Sequence, residues 1–436
     1  MHSLEFRLEM IHKNCMNVRL EHDRECAACD SAMDDALRCG FIGWRGADSV
    51  LQAIQSLEAQ GLIQLVCAAD DSNAMEPGIG RHLSARGVRV YDDFQHLFEH
   101  EHDFHALIIA DGIPSHARLT ATALARGLFV YLCQPPVPLI QQLNDLIALD
   151  SRQKVGVGFD QIHLSQIRQL KTWTAEGRLG ALNAIRVKVS KPRFAFYYEE
   201  FPWVGKMILN KEPVLDGPAT HEYAGLLHAI MYLGGATMEE YTVPTEVEGE
   251  FYRVMPIESY DLCGIRGNLA SGTAFHFIGS RASKTVVPFR IELVGDRGKA
   301  WYQEGAATAE NDCGLKASVF GNSDPAVESL KQFIDFVKGR CLRPAVRLED
   351  VRGYLLASNG GLMGSGGIHS VPSEHWKEYR EGQQFAYEVI DLPALMERSI
   401  KEGKLFAELN IPWARKGTGV SVRSLRSLSL KDYISH

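Results

Sequence analysis

The sequence has no apolar run of the roughly 18–20 residues needed to cross a bilayer. Its opening residues, MHSLEFRLEMIHKN, scatter charges where a secretory leader carries an apolar core. A cytoplasmic location with no membrane partner is expected. Positive charge is not in excess: 46 Lys and Arg face 54 Asp and Glu, a formal net charge of −8. A nucleic-acid backbone selects a basic footprint that this balance lacks, so no nucleic-acid partner is expected. The nine cysteines are odd in number and irregularly spaced, which reads as reduced thiols rather than a disulfide framework. The 39 glycines have no period, and 45% hydrophobic with 23% charged residues excludes collagen-like and disordered classes.

What is present is enough chain for two cores, since 436 residues exceed one ordinary domain. Residues 1–36 read as an N-terminal extension without a periodic apolar stripe. Cys15, His22, Cys26 and Cys29 could nominally ligate zinc there, but one CxxC is a weak signal and no metal site is assigned. From Leu37, short continuous apolar runs alternate with helical stretches: Leu37–Gly43, Leu62–Ala69, Val88–Tyr91, His105–Ala110, Leu128–Cys133 and Lys154–Phe159. Such runs suit strands covered on both faces. The intervening SVLQAIQSLEAQG and SHARLTATALARG carry apolar residues three and four apart and stop at Gly61 and Gly127.

The expectation is an α/β protein: a Rossmann-type doubly wound parallel sheet over residues 37–155, then an α+β domain with a large, mostly antiparallel open sheet over 156–415. The second half has longer, hairpin-like strands around NAIRVKVSKPRF, EVEGEFYRVM and PFRIELVGDRGKAWYQ. Residues 416–436 read as a tail. An open sheet face predicts a homodimer or homotetramer through the C-terminal sheet.

The turn after the first strand, Gly43-Trp44-Arg45-Gly46-Ala47-Asp48, is an imperfect phosphate-binding turn. Glycine is needed where φ is positive or the backbone must approach a pyrophosphate, yet the second and third glycine positions hold Arg45 and Asp48. Asp70 and Asp71 end the second strand, where a carboxylate binds ribose hydroxyls and repels a 2′-phosphate. NAD is thus favoured, with NADP open through Arg45; the alternative is that Asp70 only caps a turn.

The order HALIIADGIPSHARLTATALARGLFVYLCQPP, VLDGPATHEYAGLLHAIMYLGG, PFRIELVGDRGKA and NGGLMGSGGIHSVP resembles the Gfo/Idh/MocA family over almost the whole span from Leu37 to Trp413. The resemblance implies a nicotinamide-dependent oxidoreductase acting on a carbohydrate-like small molecule, with His116 and Pro135 near the cofactor. It also implies a Glu-Lys-Pro motif, for which this chain has Cys133-Gln134-Pro135. Gln134 can hydrogen-bond a hydroxyl but cannot act as acid, base or cation. The family's downstream Asp and His correspond to Asp216 and His221, five residues apart where four is usual; counting from Gly235 instead brings in Gly225 and His228. His221 and His228 are the alternative bases, predicted on one helix face, and Asp216 orients the base or binds substrate. Lys191, Arg193, Tyr197 and Tyr198 are the substrate-binding candidates; packing on a neighbour is the alternative for them. Three functions stay open: the oxidoreductase, a nucleotide-binding sensor or scaffold without redox activity, and an NAD-assisted glycosidase.

Overall fold

The computed structural model describes residues 36–70, 77–321 and 323–434. The nominal zinc ligands Cys15, His22, Cys26 and Cys29, and Asp71 of the nucleotide reading, lie outside the described residues. Among the described residues no helix is long and apolar enough to cross a membrane.

Six parallel strands form the first sheet: β1 Leu37–Ile42, β2 Ile63–Ala69, β3 Arg89–Tyr91, β4 Ala106–Ile109, β5 Phe129–Cys133 and β6 Val155–Gly158. Their order is β3-β2-β1-β4-β5-β6. The apolar runs follow from this position, since β4 and β6 are buried at every residue between two helical layers. The crossovers are α1 Asp48–Ala59, α2 Pro77–Ala85, α3 Phe94–His100, α4 Ile113–Ala125 and α5 Ile140–Leu149. The winding direction reverses between β1 and β4, which opens a crevice above their C-terminal ends.

The second sheet has ten strands. They are β7 Leu182–Ser190, β10 Pro244–Arg253, β11 Leu262–Leu269, β12 Ala274–Ser280, β13 Val287–Gly295, β14 Gly298–Gln303, β15 Ala306–Asn311, β16 Lys316–Phe320, β17 His369–Ser370 and β20 Val420–Ser421. The order is β16-β15-β14-β13-β7-β12-β11-β10-β17, with β20 also on β10. β7 lies parallel to β12, and β17 parallel to β10; the remaining pairs are antiparallel. Two small hairpins, β8 Ile208–Leu209 with β9 Glu212–Pro213 and β18 Trp376–Glu381 with β19 Gln384–Val389, stand apart from it.

Alternation decides which side each residue faces. Phe251, Cys263 and Phe277 join the main core under α6 Ser165–Ala175, α7 Ala224–Leu233 and, near the C-terminus, α9 Arg352–Ser365. Their neighbours Tyr252, Leu262 and Ile278 point the other way, into a separate cluster with Leu392, Met396 and Ile400 of α10 Leu392–Glu402, and with Phe406 and Trp413. The sheet is open, as expected, and α10 covers part of this face. Beyond α10 the face carries the ion pairs Arg186–Glu292 and Arg266–Glu248.

Two further segments return across the molecule. The helix α8 Pro325–Val337 follows the antiparallel strands in sequence, yet Leu330, Phe333 and Ile334 pack with Leu51, Ile54 and Tyr131 against the first sheet. The last residues dock as well: β20 pairs with β10, Leu428 and Leu430 are buried, and Gln141 exchanges two hydrogen bonds with the Leu428 backbone.

Met396 is fully buried between α10 and the sheet. Met396→Ala is expected to destabilise the fold by about 2–5 kcal/mol through lost contacts and a residual cavity. Urea unfolding checks this; an unchanged midpoint would mean that α10 does not hold that face.

Candidate active site

The crevice is a cleft of about 990 Å³, at the upper end of the range usual for small-molecule and cofactor sites. The first sheet contributes Arg45, Gly46, Asp70, Asp111, Gly112, Gln134, Pro135 and Asp160 to its lining, and the second domain contributes Arg193, Tyr197, Phe201, Trp203, His221 and Glu222.

On the side of the first sheet, Gly43 has φ +82° and a Cβ there would stand 2.4 Å from the Asp111 backbone, so only glycine fits where the two turns meet. Gly46 also has positive φ. Asp70 is 3% exposed and its Oδ2 accepts the Trp44 N–H at 2.9 Å and the Arg45 N–H at 3.1 Å. The carboxylate therefore holds the preceding glycine turn. The Trp44 side chain is in the core with Leu51 and Ile54, and Trp44 is not among the residues that line the cleft. Arg45 bridges to the other domain, donating to the Glu200 carbonyl at 2.8 Å and lying 4.7 Å over the Phe201 ring. His116 is buried, with Nδ1 2.9 Å from the Pro135 carbonyl and Nε2 2.7 Å from the Asp111 carbonyl. It ties the turn after β4 to the turn after β5, and burial pushes its pKa down.

The other wall is organised by Asp216, which is fully buried and accepts four hydrogen bonds. Oδ1 takes one from His221 Nδ1 at 2.8 Å and one from Arg281 Nη2 at 2.9 Å. Oδ2 takes one from the Gly205 amide at 2.7 Å and one from Arg281 Nη1 at 2.8 Å. Arg281 is buried too, and its Nε donates to Glu222 at 3.0 Å. Glu222 also pairs with Arg193, and both guanidinium groups lie over the Tyr197 ring, at 4.3 Å and 5.1 Å. Burial alone would raise the Asp216 pKa; the Arg281 charge and the bonds from His221 and Arg281 overcome that and hold it far below the usual carboxylate range.

His221 is the member of this network that meets the cleft, with its side chain 27% exposed and Trp203 edge-on at 4.9 Å between ring centroids. In the tautomer that gives Nδ1–H to Asp216, the ring lone pair is on Nε2. Residues Pro218–Glu222 form an i→i+5 turn closed by Tyr223 N–H to Pro218 O at 2.8 Å. Asp216 lies just ahead of this turn and His221 within it.

Several candidates are not brought to the cleft. His228 is fully buried in α7 and stacked on Phe159 at 4.0 Å, and burial pushes its pKa down to about 3. It does not share a helix face with His221, because α7 begins only at Ala224. Lys191 is exposed and outside the lining, and the Tyr198 hydroxyl is buried away from it. Asp160 lines the cleft although the sequence reading passed over it; the available signal was an acid directly after the last strand of the parallel sheet. Among the described residues no group of three or more His, Cys, Asp or Glu is disposed to hold a metal ion.

No protein-family model matches the chain, and no curated protein matches it. Solved structures do. An oxidoreductase from Agrobacterium radiobacter in complex with NAD+, L-tartaric acid and magnesium is similar at 14% identity and TM-score 0.63, over 76% of this chain and 96% of that one. The WlbA dehydrogenase from Bordetella pertussis, in complex with NADH and UDP-GlcNAcA, gives 15% identity and TM-score 0.63 over 76% and 97%. Levoglucosan dehydrogenase, in complex with NADH and L-sorbose, gives 12% and 0.62 over the same shares. At such identities the likeness establishes the fold: a doubly wound parallel sheet joined to a large, mostly antiparallel one.

The buried pair yields a stability prediction. Arg281→Met leaves Asp216 charged and uncompensated, and a loss of about 3–5 kcal/mol is expected. Because the folded-state pKa of Asp216 is depressed, its contribution is present above the unfolded value near 3.9 and is lost as pH falls below it. Denaturant midpoints at pH 7 and pH 3 check both parts: the penalty of the variant should shrink at the lower pH. An equal penalty at both would contradict the assignment.

Proposed function

We propose that this chain is an NAD-dependent oxidoreductase of the Gfo/Idh/MocA type that interconverts a secondary alcohol and a ketone on a sugar, polyol or related metabolite. The observation that carries the reading is the Asp216–His221 dyad opening onto a cleft at the switch point of a doubly wound sheet.

The residues present fit a dinucleotide. The positive-φ turn at Gly43 and Gly46 stands at the start of α1, Asp70 sits at the end of β2 with a charge unfavourable to a 2′-phosphate, and Gln134 and Pro135 close the far end. NAD is therefore preferred to NADP. When bound, the nicotinamide supplies the hydride acceptor.

The protein supplies the proton chemistry. His221 Nε2 takes the hydroxyl proton as the carbinol is oxidised, and Asp216 keeps its charge and steadies the imidazolium. In the free enzyme Arg281 balances that same carboxylate, so the dyad is held without a substrate. Arg193, Glu222 and Tyr197 offer donors, acceptors and a ring face to a hydroxylated substrate beside His221. Gln134 orients a hydroxyl without charge, which leaves acid–base work to His221.

A second reading, a nucleotide-binding protein without redox activity, is favoured by two observations. Phe201 and Trp203 lie directly over Gly46 and Gly112, where added Cβ atoms would stand 3.0 Å and 2.6 Å from them, and Gln134 replaces the ionisable lysine.

Purified protein is expected to bind NAD and to reduce it with at least one member of a sugar and polyol panel. His221→Ala should lower kcat by about 10²- to 10⁴-fold while NAD binding persists. NAD binding without reduction across the panel, before and after Gln134→Lys, would instead establish the second reading.

A further inference from the structure

The switch point divides the crevice into an adenosine half over β1–β3 and a nicotinamide half over β4–β6. Asp160 stands in the second half, two residues beyond β6, and is one of the residues that line the cleft. Its Oδ1 lies 3.3 Å from the Tyr131 hydroxyl, which is in turn 2.8 Å from Ser329 Oγ on α8. Gly158 leaves the room this requires, because a Cβ there would stand 2.5 Å from the Tyr131 hydroxyl oxygen. Nearby, Gly225 opens a gap into which two carboxamide oxygens converge: its Cβ would stand 2.4 Å from Gln134 Oε1 and 1.8 Å from Gln161 Oε1. Both oxygens are buried without a hydrogen-bond partner.

This corner is rich in acceptors. The titratable and charged groups that act on Asp160 are Tyr131 and Cys133 from β5 and Asp324 at the cap of α8, and none is a cation. Burial raises the Asp160 pKa first, Asp324 adds to that, and the bonds from Ser329 and Tyr131 only partly oppose it, leaving the carboxyl at about 7. A carboxyl so placed responds to a positive charge brought beside it, because an adjacent cation favours the ionised form.

We propose that Asp160 discriminates between the redox states of the nicotinamide: its carboxylate form favours the cationic oxidised ring, and its protonated form tolerates the neutral reduced ring. This rests on the nucleotide reading above. By linkage, NAD+ binding releases the Asp160 proton and NADH binding retains it. The affinity for NAD+ relative to NADH therefore rises as pH passes through the Asp160 transition. If the two ring states separate its pKa by one unit, the ratio changes about tenfold.

The test is equilibrium binding. NADH is titrated by its fluorescence and NAD+ by calorimetry, from pH 5.5 to 8.5, for wild type, Asp160→Asn, Asp160→Glu and Tyr131→Phe. The wild-type affinity ratio should climb about tenfold toward NAD+ across this range. Asp160→Asn should be flat and Asp160→Glu should retain the climb. Tyr131→Phe, which removes a bond to the carboxylate, should move its midpoint upward. An identical climb in Asp160→Asn and wild type, or a flat wild type, overturns the role of Asp160 alone. Failure of both nucleotides to bind any of the four proteins overturns the nucleotide reading and this inference with it.

Discussion

The Asp216–Arg281 pair is the constraint on which the site depends. A carboxylate and a guanidinium with no exposure are costly to bury, and the cost is offset only where geometry is good and every lone pair is used. Here Arg281 supplies two parallel N–H bonds, and the Gly205 amide and His221 take the remaining acceptor positions. Gly205 belongs to the loop that carries Phe201 and Trp203 across the cleft, His221 to the turn before α7, and Arg281 to the end of β12. One carboxylate thus fixes three separate segments around the cleft, and the same bonds that satisfy it fix the tautomer of His221.

The fold was largely legible because the sheet imposes its pattern on the sequence. A parallel strand covered on both faces must be apolar throughout, and each of the six predicted runs overlaps an observed strand. Less visible was the fate of segments after residue 320. The apolar stripe of α8 announces a helix but not the surface it packs on, and it crosses back to the first sheet. Likewise, the alternating strands β10–β12 predict two faces, while the covering by α10 depends on residues more than a hundred positions away.

The site was legible in part, for local reasons. Asp216 and His221 were found through the resemblance, yet their spacing was ambiguous because a sequence does not display an i→i+5 turn. His228 misleads because α7 is buried at all ten positions and so has no polar face against which to judge it. Trp44 lies within the glycine turn, but its side chain points into the core. Asp160 was missed because an acid after a strand is an ordinary turn residue; only burial against Tyr131 and α8 distinguishes it. Asp70 bonds to the Trp44 and Arg45 amides, which link it to the glycine turn.

The central claim is that Asp216 presents His221 to the cleft with Nε2 as proton acceptor. Nitrogen-15 NMR of the histidine rings, with the His221 signal assigned by comparison with His221→Gln, reads this directly. The account predicts a neutral ring protonated on Nδ1, with a strongly hydrogen-bonded Nδ1 proton and an unprotonated Nε2. A His221 ring protonated on Nε2, with Nδ1 bare, would contradict it.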